Sequence, residues 1–181
     1  MKLTGSRTIA ADRETVWAAL NDAAVLQACI GGCQELEKTS ETSFTAVVKQ
    51  KVGPVSATFK GEVELSDLNP PESYRISGEG KGGAAGFASG GADVKLTEVE
   101  GGTGITHTEL SYDVDAKVGG KIAQLGARLI DGFAKKMADQ FFETFQKVVE
   151  GPDETNDEPA EDGEREPAEE EKKSWLKRLT G

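Results

Sequence analysis

The spacing of apolar residues along this chain changes from a helical to a strand period near Glu35 and back again near Gly119-Gly120, and this double switch dictates what it can fold into. From Glu35 onward the period is two. Phe44, Ala46, Val48 and Val52 alternate with polar neighbours, and after a Gly53-Pro54 turn Val55, Ala57, Phe59, Val63 and Leu65 alternate with Ser56, Thr58, Lys60, Glu62 and Glu64. Successive side chains of a strand point to opposite faces, so this pattern describes strands with one wet face. Asn69-Pro70-Pro71 marks a turn, Tyr74 and Ile76 begin the next strand, and Ala88, Ala92, Val94 and Leu96 belong to another. Glu100-Gly101-Gly102 closes a hairpin, and a last strand is predicted over Thr103 to Ala116. Its parity places Thr108, Leu110 and Tyr112 on one side and His107, Glu109, Ser111 and Asp113 on the other. Beyond Gly119-Gly120, Ile122, Leu125, Leu129, Phe133, Met137, Phe141, Phe145 and Val148 recur at three- and four-residue steps, predicting one helix from Lys121 to about Val149. At 1.5 Å per residue it would run about 40 Å, enough to cross a whole sheet.

The first 34 residues fit the same plan. A strand is predicted over Thr4 to Ala10, followed by a helix capped by Asp12 with Val16, Trp17 and Leu20 on one face. A second short helix begins at Asp22, carries Val25, Leu26 and Cys29, and breaks at Gly31-Gly32. The predicted class is α+β, a helix-grip arrangement in which a curved antiparallel sheet wraps a long C-terminal helix, with two short helices after the first strand. A domain of about 150 residues can bury roughly 68–70% of its unfolded surface, so residues 1–150 can support one core.

A curved sheet closed by one helix can enclose a hollow, and the inward set is rich in small residues: Ala46, Ala57, Gly78, Gly80, Ala88, Gly90, Ala92 and Ala116. The predicted lining takes Leu26 and Ile30 from the second helix and Ala57, Phe59, Ala92, Leu110 and Tyr112 from the strands. Ile122, Leu125, Leu129 and Phe133 come from the first half of the long helix, and Phe87 from a glycine-rich lip. Trp17 is read as a staple for the first helix. The alternative is a filled core whose surface serves only for docking.

Several chemistries are disfavoured. Cys29, Cys33 and His107 are the only cysteines and histidine, one ligand short of a tetrahedral zinc site, and are read as two reduced, mostly buried thiols and a solvated imidazole. No nucleophile has a positioned base, so no catalytic residue is assigned. Gly78-x-Gly80-x-x-Gly83 matches a dinucleotide fingerprint formally, but strand-like sequence follows it where a helix is required. The net charge of -11 opposes nucleic-acid binding. No apolar run approaches the roughly 20 residues that span a bilayer, and the start lacks the apolar stretch of a signal peptide, so a cytoplasmic protein is predicted.

The charge is unevenly spread: residues 151–181 hold 11 acidic and five basic side chains, over half of the net charge. Residues 151–171, rich in Glu, Asp, Pro and Ala, are predicted to be a disordered linker with a mean reach of roughly 25 Å. The last ten residues, 172–181, place Trp175, Leu176 and Leu179 among Lys172, Lys173, Lys177 and Arg178. That short basic amphipathic segment suits an anionic membrane surface or a partner protein.

Four segments in order carry a resemblance: Leu26-Gln27-Ala28-Cys29-Ile30-Gly31-Gly32-Cys33, Val52 to Gly61, Gly78 to Phe87, and Val118 to Gly126 with Phe141-Phe142. Together they resemble the G-subunit family of carbon monoxide dehydrogenase over essentially all of residues 1–150. That family is similar to the START-related helix-grip proteins, which hold hydrophobic molecules between sheet and C-terminal helix. The resemblance implies a non-enzymatic accessory protein with no covalent cofactor. Its ligand would be a quinone or lipid, and its partners a molybdenum-dependent carbon monoxide dehydrogenase, or related hydroxylase, and the inner face of the cell membrane. One departure is Gly31, where the family usually has proline.

Overall fold

The computed structural model describes residues 1–102 and 104–151. Residues 1–149 form one compact unit. The acidic linker 151–171, past Gly151, and the basic segment with Lys172, Lys173, Trp175, Leu176, Lys177, Arg178 and Leu179 lie outside the described residues.

Strand β1 (Lys2–Ile9) leads into α1 (Arg13–Leu20) and α2 (Ala23–Cys29). Six strands follow as a meander: β2 (Cys33–Ser40), β3 (Ser43–Val52), β4 (Val55–Asn69), β5 (Ser73–Lys81), β6 (Phe87–Glu100) and β7 (Thr106–Gly119). Every neighbouring pair is antiparallel, in the order β1-β7-β6-β5-β4-β3-β2. The first strand thus zips onto the last, and α1 and α2 carry the chain between the two sheet edges. The chain closes with α3 (Ala127–Glu150).

Local chemistry sets the helix bounds. The Asp12 carboxylate accepts from the Thr15 N–H and the Asp22 carboxylate from the N–H groups of Ala24 and Val25, occupying backbone donors that a helix start leaves orphaned. The long helix departs from its predicted start. Lys121–Leu125 is a 3-10 turn, and Gly126, with φ of 98°, separates it from α3, which runs 24 residues or about 36 Å. Only glycine takes that backbone conformation freely, so apolar spacing continues across a break that it does not reveal. The last strand likewise begins at Thr106, three residues later than its pattern predicts, because the Gly101 N–H donates to the Ile105 carbonyl at 2.7 Å and closes the hairpin before the strand starts.

Two apolar clusters divide the interior. The larger joins Ile9, Val16, Leu96, Leu110 and Phe145, each at most 1% exposed, to Phe142 and the inward residues of the middle strands. Thr108 is fully buried there, and its hydroxyl donates to the Ala11 carbonyl at 2.7 Å, so no polar group is left unsatisfied by its burial. The second half of α3 closes this cluster. Its Phe141, Phe142 and Phe145 pack on one another with ring centroids 5.0–6.4 Å apart. The smaller cluster, around Val52, Ala85 and Ile122, sits where the β3–β4 hairpin meets the 3-10 turns Gly83–Ala85 and Lys121–Leu125.

Candidate functional site

Within the larger cluster the layers stand apart. The sheet, α2 and α3 line a cavity of about 320 Å³ that is partly open to the outside. Parity along the strands brings Leu36, Val63, Ile76, Val94 and Val114 onto its wall, and small side chains leave the room: Ala46 on β3, Ala92 on β6 and Ala138 on α3. Ala92 pairs across the sheet with Ile76 and Val114, so a one-methyl side chain sits in a row of branched ones. Among the described residues Tyr74 and Tyr112 are the only ones with polar side chains on the lining. Burial raises the Tyr74 phenol far above its usual pKa, which keeps it neutral. Such a volume lies within the 300–1,000 Å³ of small-molecule sites and holds roughly ten water-sized groups, so the interior is not filled.

The cavity brings together five of the predicted lining residues, Leu26, Ile30, Ala92, Leu110 and Tyr112. Five others, Ala57, Phe59, Ile122, Leu125 and Phe133, belong to the smaller apolar cluster and line no part of it. The helical wall is therefore Ala138, Phe141 and Phe142, in the second half of α3, where the sequence predicts Ile122 to Leu129. The reason is that the β3–β4 hairpin folds onto the Ile122 turn and fills that end with its own side chains. Leu129 is 40% exposed in a surface groove. Phe87 is 47% exposed and lies on the opposite face of β6, over Gly119, so it is no lip to this cavity. The segment before it is tightly fixed: a Cβ on Gly86 would collide with the Gly119 carbonyl oxygen.

Trp17 packs edge-on against Tyr74 with centroids 5.1 Å apart, holding α1 to the outer side of the cavity wall. Tyr112 stacks on Phe142 at 5.2 Å, and the Arg7 guanidinium lies 5.5 Å from the same Phe142 ring. Arg7 also donates to Asp139 at 2.5 Å, tying edge strand β1 to the helical wall. Its inward position follows from strand parity, but the partner is visible only in three dimensions.

Among the described residues the cavity wall carries no serine, cysteine, histidine or carboxylate. His107 is half-buried against Gly101, with Nδ1 enclosed and unpartnered, more sheltered than the solvated imidazole its parity suggests. Among the described residues no three His, Cys, Asp or Glu side chains converge. The glycine fingerprint runs from β5 into a three-residue 3-10 turn and then β6, so no helix N-terminus faces a phosphate. Both cysteines are free, and burial raises their thiols, that of Cys29 from 9.0 to about 11. A thiol two units above its ordinary value carries about a hundredfold less thiolate. At pH 8 native Cys29 is thus expected to react with iodoacetamide about a hundredfold more slowly than in urea, measured by mass spectrometry. Because the unfolded chain loses this proton first, the same group weakens folding as pH rises past 9.0 towards about 11.

An open antiparallel sheet holding a C-terminal helix over an apolar hollow is the helix-grip architecture. The Zhui aromatase/cyclase from Streptomyces sp. R1128 shares it, with a TM-score of 0.55 and 12% identity over 83% of this chain and 93% of its own. A conserved protein from Geobacillus kaustophilus is far nearer, at TM-score 0.76 and 31% identity over 83% of this chain and 95% of its own. A protein from Rhizobium leguminosarum superimposes with a TM-score of 0.58 at 16% identity, covering 83% and 94%. No curated protein matches by sequence. The profile of CoxG, the G subunit of carbon monoxide dehydrogenase, matches residues 5–150, and the chain belongs to that family.

Proposed function

We propose that this protein is a non-enzymatic accessory component. It carries a quinone or other lipid in the cavity, and it brings a molybdenum-dependent carbon monoxide dehydrogenase, or a related hydroxylase, to the cytoplasmic face of the membrane. The observation that carries the reading is the cavity itself, about 320 Å³ walled by aliphatic and aromatic side chains with two phenols as its polar side chains. A wall of that kind favours a guest that is mostly hydrocarbon or ring, with at most a few oxygen atoms to orient it. The family supports the accessory role and the dehydrogenase as partner. Among the described residues no helix is long and apolar enough to cross a membrane, so the reading assigns peripheral attachment, with Lys172 to Leu179 as one contact.

Solvent extraction of the purified native protein, followed by mass spectrometry, tests the carrier role. A lipophilic molecule recovered at near-equal molar amount is expected. Recovery of none, together with no uptake of an added short-chain quinone, would reject it.

A further inference from the structure

A second apolar surface lies outside the cavity, at the end of the domain where the β3–β4 hairpin tip meets the start of α3. Leu125, Leu129 and Phe133 line a shallow groove there, flanked by Lys51, Arg128 and Lys136. Leu129 reaches over Gly53 at the hairpin tip and is 40% exposed. Leu129, Phe133 and Lys136 follow one another on α3 at spacings of four and three, with Arg128 beside Leu129, so one helical face carries two apolar groups bracketed by two cations. Among the described residues none of Lys51, Arg128 and Lys136 is in an ion pair. In a chain of net charge -11, where acidic partners abound, that is a local reversal of sign. Residues 49–55 and 117–136, which meet at this end, hold seven Lys and Arg side chains and one acidic group, Asp131.

We infer that this end of the folded domain is a docking face for an anionic lipid surface. It deepens the carrier reading and rests on it only for the membrane as the source of the guest. Charge complementarity selects the occupant: cations near an anionic leaflet are each attracted to it, and screening over about 8 Å weakens the repulsion from acidic side chains elsewhere on the folded domain. The exposed leucine between the cations separates a bilayer from a hydrated polyanion. It gains by entering the headgroup boundary while the long basic side chains reach back to the phosphates. An acidic protein surface is the competing occupant, and the groove offers it no deep pocket for an anchoring side chain.

Vesicle co-sedimentation of the full-length protein is the test, using mixed phosphatidylserine–phosphatidylcholine vesicles with phosphatidylcholine alone as control. Lys51→Gln, Arg128→Gln and Lys136→Gln together are expected to weaken partitioning by about a hundredfold. Leu129→Ser alone is expected to weaken it severalfold, and added salt to release the unaltered protein. All four positions are exposed, and urea unfolding of each variant confirms that it folds. The inference is overturned if the triple variant partitions within about threefold of the unaltered protein, or if the unaltered protein ignores phosphatidylserine. It is also overturned if neutralising Lys172, Lys173, Lys177 and Arg178 abolishes partitioning while the triple variant retains it. Extraction of the triple variant separates the two readings: a retained guest with lost vesicle binding supports the face, whereas a guest missing already from the unaltered protein counts against the carrier role.

Discussion

Phe145→Ala is expected to destabilise the domain by about 3–5 kcal/mol, the cost of truncating a buried aromatic ring. Phe145 is 0% exposed, stacks on Phe141 at 5.7 Å and meets Phe142 edge-on at 6.4 Å. It is the point where α3 enters the larger cluster with Ile9, Leu96 and Leu110. Its removal leaves a void beside one the fold already contains, and Phe141 and Phe142, which wall the cavity, lose their backing. Urea unfolding followed by circular dichroism measures the loss, and Phe87→Ala, on an exposed ring, provides the contrast at about 0.5 kcal/mol or less. A loss below about 1 kcal/mol at Phe145 would mean that α3 is not held to the sheet through this ring.

Two enlargements of alanine are expected to behave oppositely. Ala92 lines the cavity, so in Ala92→Phe the new ring enters empty space, with a stability change under about 1 kcal/mol and exclusion of any guest. Ala57 packs against the cluster of Val52, Ala85 and Ile122, so Ala57→Phe is expected to cost about 1–3 kcal/mol through overpacking. Equal costs at the two sites would contradict the division of the interior into a filled end and a hollow one.

Much of this is legible in the chain. The alternation of Val63, Leu65, Ile76, Val94 and Leu110 marks the correct inward face, and Asp12 and Asp22 mark both short helices because an N-cap is a local interaction. What periodicity cannot supply is position along that face. Ile122, Leu125 and Phe133 continue the apolar stripe of α3, but whether a stripe residue meets a void or a side chain depends on where the β3–β4 hairpin folds, a contact far away in sequence. Gly126 stays hidden because a break between two apolar turns keeps the three-and-four spacing intact. The small residues are a sound guide only in part: Ala46 and Ala92 border the hollow, whereas Ala57 lies in the filled end. Leu129 reads as pocket wall because an apolar residue on a helix face says nothing of which neighbour covers it.

The central claim is that the hollow accepts an apolar guest, and Trp17 reports on it directly. Its indole contacts Tyr74 on the cavity wall, and Trp175→Phe makes it the sole tryptophan. In that background, titration with a short-chain quinone is expected to quench Trp17 fluorescence saturably when residue 92 is alanine, and to leave it unchanged when it is phenylalanine. No quenching with alanine, or the same saturable quenching with both, would contradict it.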